Sequence, residues 1–218
     1  MTAILPLGSG KASGIRAFIS IEIPKPIREQ MIGVPEPLKE VKGKFSWSST
    51  NNLHITLKFL GDCTRRRLEA ISKRLSEIAA SHMQFGISFE GVGVFPSFSA
   101  PRIVWLGIKD GREQLVKLAN DISDSMEAIG FKKEAKPFRP HITLARIKYL
   151  GSKPEFKTAV GEISNTKISP MAAKYIFLMR SQLNPKGAIY TVIERMCLAD
   201  PAGTREGAVP IGGSLPKE

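Results

Sequence analysis

Histidine is scarce in this chain, with three in 218 residues, and cysteine is scarcer still at two. The cysteines, Cys63 and Cys197, lie far apart and form no Cys-x-x-Cys pair. A disulfide framework and a zinc knuckle are thereby excluded, and a reducing, cytoplasmic setting is expected. Long apolar runs are missing too: nowhere do roughly eighteen apolar residues follow one another, the least that a membrane-crossing helix needs. The segment Met1 to Gly14 has neither a charged start nor a sustained apolar stretch, so neither export nor a membrane partner is expected. Acidic residues are in deficit, 20 Asp and Glu against 32 Lys and Arg, for a formal net charge of +12. That excess favours polyanionic partners such as nucleic acid, although charge alone names no chemistry.

What is present gains weight from this background. Two of the three histidines occupy the same tetrapeptide, His-Ile-Thr-Leu, at His54 to Leu57 and again at His141 to Leu144. If each is a strand, its two-residue period sets His54 beside Thr56, and His141 beside Thr143, with Ile and Leu on the opposite faces. Two imidazoles and two hydroxyls from two copies of one motif make a symmetric acid/base site. No His-x-x-x-His or comparable ligand spacing accompanies them, so neither a metal nor another cofactor is expected.

The length suits one large domain or two lobes sharing a core, and 42% hydrophobic residues is enough to build one. Ile15 to Ile23 reads as a central strand ended by Pro24 and Pro26. A short helix near Ile27 to Ile32 resumes after Pro35 and Pro37, and Phe45 to Thr50 reads as extended. The first motif strand spans Leu53 to Leu60. Thr64 then caps a helix from Arg65 to Ala80, with Leu68, Ile71, Leu75 and Ile78 on its apolar stripe. Phe85 to Phe95 and Arg102 to Ile108 read as a pair of strands joined by a broad loop. A second helix runs from Arg112 to Ile129 with Gly130 as its stop, and Phe138 to Ile147 carries the second motif. Each motif is thus expected in a half that mixes strands with one long helix. Strands over Lys174 to Gln182 and Ala188 to Leu198 flank a turn at Asn184 to Gly187, and Asp200 onward reads as a loose tail.

The segments Asn52-Leu53-His54-Ile55-Thr56-Leu57-Lys58-Phe59-Leu60-Gly61 and Arg139-Pro140-His141-Ile142-Thr143-Leu144-Ala145-Arg146 resemble the two signatures of the 2H phosphoesterases. They resemble most the RNA 2′,3′-cyclic phosphodiesterase group, historically called 2′-5′ RNA ligases. The likeness runs from about Arg16 to Leu198 and takes in Phe95-Pro96 and Ser181 to Tyr190. It implies an α+β fold of two lobes related by a pseudo-two-fold axis, with antiparallel sheets lining a central cleft and helices outside. On that pattern residues 15–199 form one two-lobed domain, 1–14 an N-terminal extension and 200–218 a flexible tail. The resemblance also implies His54 as proton donor, His141 as proton acceptor and Arg146 as a phosphate contact. The substrate it implies is an RNA with a 2′,3′-cyclic phosphate end, tRNA fragments included, turned over by a monomer.

The chemistry fits independently. In-line opening of a cyclic phosphodiester needs a base for water on one side of phosphorus and an acid for the leaving ribose oxygen on the other. Histidine, with an ordinary pKa of about 6.5, can serve as either. The Thr56 and Thr143 hydroxyls suit the non-bridging oxygens where charge develops. Lys58 shares the histidine face by strict period, as either a phosphate ligand or a solvated lysine. His82 reads as charge compensation at a helix end, and Gly91-Val92-Gly93 as a strand bulge. Among the aromatics Trp47, Phe98 and Trp105, core packing is the default for Trp105, and Phe98, in the broad loop, is the candidate for stacking on a base. The same in-line geometry serves 2′-5′ RNA ligation or a cyclic nucleotide phosphodiesterase, and a non-catalytic RNA-binding module would share the charge but not require the paired motifs.

Overall fold

A computed structural model describes residues 14–185 and 187–200. Apart from Gly14 and Asp200, the expected N-terminal extension and C-terminal tail lie outside these residues, as does Lys186. In chain order the elements are β1 (Ile15–Glu22), α1 (Lys25–Ile32), α2 (Glu36–Lys39), β2 (Gly43–Trp47), a 3₁₀ turn (Thr50–Asn52), β3 (His54–Cys63), α3 (Arg65–Ser81), β4 (Phe85–Phe95) and β5 (Ile103–Ile108). There follow α4 (Arg112–Glu127), β6 (His141–Leu150), α5 (Lys153–Glu162), β7 (Lys167–Ala173), β8 (Tyr175–Asn184) and β9 (Gly187–Cys197). Thr64 caps α3 by accepting from the Arg67 amide, and Gly130, at φ 85°, turns the chain out of the α4 region.

All strand pairings are antiparallel, in the order β7-β4-β5-β6-β3-β1-β8-β9, with β2 added to β6. The join between the motif strands is narrow. β3 and β6 meet through the single pair Ile55 and Ile142, beyond which β2 takes over the edge of β6. One lobe is therefore β3-β1-β8-β9 and the other β2-β6-β5-β4-β7, and the two motifs lie side by side at the seam.

The helices cross that seam. α4, which follows β5, packs on β3 and α3 of the other lobe, while α1, which follows β1, packs on β7 and the 3₁₀ turn. This corrects the expectation of one long helix per half: both long helices, α3 and α4, cover the same lobe. On the other lobe α1 packs on β7, α5 sets Phe156 against Phe45 of β2, and α2 packs on α5. Ile19, Ile55, Leu57, Ile142 and Leu144 are buried beneath the helices, each such side chain contributing about 1.5–3 kcal/mol. The faces bearing the histidines carry no helix among the described residues.

α5 and β7 are additions to the reading from sequence. The start of α5 is signalled by Ser152, whose hydroxyl accepts from the Glu155 amide in a Ser-x-x-Glu box, but its apolar stripe is short. β7 contains Pro170, which this sheet tolerates because β7 is an edge strand and the register skips there. The expected bulge at Gly91 is present: Phe89 pairs with Ile108 and Val92 with Leu106, and Gly91 has φ 80°.

Gly93 faces Trp105 across the β4–β5 pair, and a Cβ there would lie 2.3 Å from the indole ring. Gly93→Ala is expected to destabilise the protein by about 1–3 kcal/mol through overpacking. Denaturant titration measures the loss, and an altered emission from one of the two tryptophans locates it at Trp105.

Candidate active site

The antiparallel bridge between Ile55 and Ile142 places the residue before it on one strand beside the residue after it on the other. His54 therefore lies beside Thr143, and Thr56 beside His141, in a local two-fold arrangement. Each imidazole is fixed in the same way, its Nδ1–H donating to the carbonyl two residues back: Asn52 for His54 and Arg139 for His141, both at 2.7 Å. In each ring the nitrogen not taken up by that carbonyl is Nε2. That of His54 lies 2.9 Å from the Thr56 hydroxyl. An aromatic edge braces each ring as well, Tyr190 against His54 at 5.2 Å and Phe95 against His141 at 5.1 Å, both near perpendicular.

Both histidines are held below the ordinary imidazole pKa. Burial is the main cause in each case, countered by the backbone carbonyl. The His141 charge depresses His54 further, and the Arg146 guanidinium depresses His141. The two rings and the arginine thus sense one another electrostatically across the seam.

A matched pair of bulges decides which other side chains join them. The register along β3 skips Leu57, and along β6 it skips Leu144. Two consecutive residues turn into the core on each strand, Leu57 with Lys58 and Leu144 with Ala145, and the next residue emerges on the histidine face. In β6 that residue is Arg146, five positions after His141, an odd spacing that an unbroken strand would send to the opposite face. In β3 it is Phe59, exposed to 65%. Chemically the two-fold is broken here, a cation on one lobe facing an aromatic ring on the other.

Lys58 therefore departs from the expectation that it shares the histidine face. It is only 2% exposed, on the helix side of the sheet, where its ammonium donates to Glu134 at 2.8 Å and to the Lys132 carbonyl at 3.0 Å. Phe98 leans on Phe156 of α5, with centroids 6.4 Å apart, and stays 41% exposed; no ring contact joins it to His54 or His141 among the described residues. Trp47 stacks on Phe45 against the core at 5.0 Å. Trp105, whose default was core packing, pairs with Thr143 on the histidine face and contacts Phe95. His82 hydrogen-bonds Asp121 of α4 at 2.8 Å, a structural link remote from the motifs. The sequence reading missed Phe59 because a period of two hides it; the odd spacing of Arg146 was the available clue to the bulge.

Residues 21–105 and 106–190 each match the model for LigT-like phosphoesterases, one motif in each copy. The chain belongs to that family. Curated relatives of this LigT-like phosphoesterase include the RNA 2′,3′-cyclic phosphodiesterases of Archaeoglobus fulgidus, 37% identical over 81% of this chain and 96% of that one, and of Aquifex aeolicus, 32% identical over 84% and 97%. Among solved structures, TT0787 of Thermus thermophilus superposes with a TM-score of 0.69 at 25% identity, covering 86% of this chain and all of that one. E. coli LigT complexed with 3′-AMP superposes with a TM-score of 0.68 at 25% identity, covering 85% and 98%. Both likenesses span the two lobes. Among the described residues no three His, Cys, Asp or Glu side chains converge as a metal site, and no helix is long and apolar enough to cross a membrane.

The depressed histidines set a pH dependence. A group whose folded pKa lies below its unfolded value takes up its proton first in the unfolded chain. Its stability contribution is therefore full above about pH 6.5 and is lost as pH falls through the folded pKa. Thermal melts should show stability declining below about pH 6.5, and a His54→Gln, His141→Gln double variant should decline less. A decline of equal size in both would assign it to other groups.

Proposed function

We propose that the protein hydrolyses RNA 2′,3′-cyclic phosphate ends to 2′-phosphomonoesters, with His54 as general acid and His141 as general base and without a metal ion. The observation that carries the reading is the seam itself, where two imidazoles, each held to a backbone carbonyl through Nδ1 and with no backbone partner at Nε2 among the described residues, flank a space edged by Thr56, Thr143 and Arg146. Relatives named RNA 2′,3′-cyclic phosphodiesterase, matched over nearly their whole length, support the same reaction.

Attack by water on phosphorus passes its proton to His141 Nε2; the P–O3′ bond breaks, and O3′ takes the proton from His54 Nε2. The 2′-phosphate remains. Burial, and after it the charge of Arg146, favours the neutral, basic form of His141. His54 must enter protonated, and the negative charge of a bound phosphate raises its pKa toward that state. Threonine hydroxyls and the Arg146 guanidinium suit the non-bridging oxygens as charge builds on them. Phe59, across the seam, offers an apolar face for the base of the terminal nucleotide. Exposed Lys136, Arg139 and Lys148 flank the second motif and suit the phosphates of a longer RNA, tRNA fragments included. A monomer in a cytoplasmic setting is sufficient for this reaction.

The decisive experiment supplies an oligoribonucleotide ending in a 2′,3′-cyclic phosphate, with chelator present, and identifies the hydroxyl that keeps the phosphate. A 2′-phosphate is expected, and turnover should fall at least about a hundredfold in His54→Ala and in His141→Ala while both variants stay folded. Loss of activity on chelation, restored by a divalent ion, would overturn the metal-free mechanism. Joined RNA ends as the main product would favour ligation instead.

Arg146→Ala should impair a cyclic mononucleotide and an RNA oligomer alike, since both present the reacting phosphate. Added salt should raise KM more steeply for the oligomer, because a longer polyanion releases more counterions on binding. Equal salt slopes would remove the net positive charge from substrate capture.

A further inference from the structure

Lys58 occupies the bulge position that Ala145 occupies in the second motif, yet its side chain turns under the sheet toward α4 and the connection that follows it. Its ammonium donates to Glu134 Oε2 at 2.8 Å, to the Lys132 carbonyl at 3.0 Å and to the Ser123 hydroxyl of α4 at 3.4 Å. Lys132 and Glu134 belong to the connection between α4 and β6, where residues 132–137 are all exposed and Phe131 and Pro140 are buried at either end. That connection ends in Arg139, whose carbonyl receives the Nδ1–H of His141 at 2.7 Å. At its other end, Arg67 of α3 stacks on Phe131 at 3.9 Å and donates to the Gly130 carbonyl at 3.3 Å. Between Phe131 and Phe138 the connection forms no strand or helix. A buried ammonium is retained only where its hydrogen bonds are satisfied, and here these bonds tie a residue four places after the first histidine to a segment just before the second.

We propose that Lys58 is a positioning residue for His141: a buried strut from the first motif strand that fixes the lead-in segment of the second, so that the Arg139 carbonyl holds the imidazole with Nε2 aimed at the substrate. Catalytic groups tolerate little misplacement, a shift of about 1 Å costing up to roughly a hundredfold in rate, which gives the strut a use that fold stability alone does not require. The inference rests on His141 acting as a base, but two of its tests do not.

Lys58→Met keeps the length of the side chain and removes the ammonium, leaving half-exposed Glu134 to water; Glu134→Ala removes the partner from the solvent side. The chain holds three histidines, so their ring resonances can be followed individually through a pH titration. Around His141 the titratable and charged groups are His54 of β3, Arg146 of β6 and Arg139 itself, none of them altered. In Lys58→Met the His141 midpoint should fall, since the carbonyl that raises it is released. Hydrogen exchange should quicken in residues 131–140 and not across the sheet. kcat on a cyclic mononucleotide should fall about tenfold with KM within about twofold, and Glu134→Ala should shift all three in the same direction by less. An unchanged His141 midpoint or an unchanged kcat overturns the proposal, as does loosening spread evenly through the protein. Should the unaltered protein leave cyclic phosphates intact, the functional reading fails, and the titration and exchange measurements still decide whether Lys58 positions His141.

Discussion

One antiparallel bridge, Ile55 to Ile142, carries the geometry of the site. Two strands that touch at one residue each can present both of their motifs to the same space, because the chains separate on either side and leave room between the lobes. A longer ladder would close the gap with backbone hydrogen bonds; no bridge would let the imidazoles drift apart. Burial of the isoleucine pair on the helix side turns the alternate residues, His54, Thr56, His141 and Thr143, toward the open side. The hydrophobic effect and the strand pleat together orient the polar groups, and each Nδ1–H is then locked by a local carbonyl.

The bulges add what a regular strand cannot. One extra residue exchanges the faces of everything that follows, and both strands use it at the same point of the motif. The result is equal in geometry and unequal in chemistry: Arg146 emerges on one side, Phe59 on the other, and the side chains directed inward are Ala145 and Lys58. A duplicated frame thereby holds two different halves, with a guanidinium on one lobe and an aromatic ring at the matching place on the other.

Much of this was legible in the sequence. The repeated His-Ile-Thr-Leu, the 3.6-residue stripes of α3 and α4, the Thr64 cap and the Gly130 stop depend on neighbours within a few residues, and those read correctly. Lys58 and Phe59 did not, because a bulge depends on how the adjacent strand pairs, which local periodicity does not record. The placement of α4 on the opposite lobe was hidden for the same reason: its apolar stripe shows that it packs, not on what. α5 was obscured by its brevity and β7 by Pro170, which only an edge strand accommodates. Phe98, a loop aromatic in the sequence, gains a neighbour in Phe156 of α5, a helix the sequence hid, and stays exposed.

The exchange of helices across the seam bears on how the protein can move. Since β1 sends its helix to cover the far lobe and β5 sends its own back, neither lobe has a complete core made from one stretch of chain. Cutting between the two copies would strand each sheet without its cover, so the repeats are not two domains joined by a hinge. Opening and closing around a ligand must come from flexing of one continuous sheet at its narrowest point, or from loops at its rim. Such an arrangement favours a site held ready in the absence of substrate over one assembled by closure, and it makes the two lobes cooperative partners in unfolding.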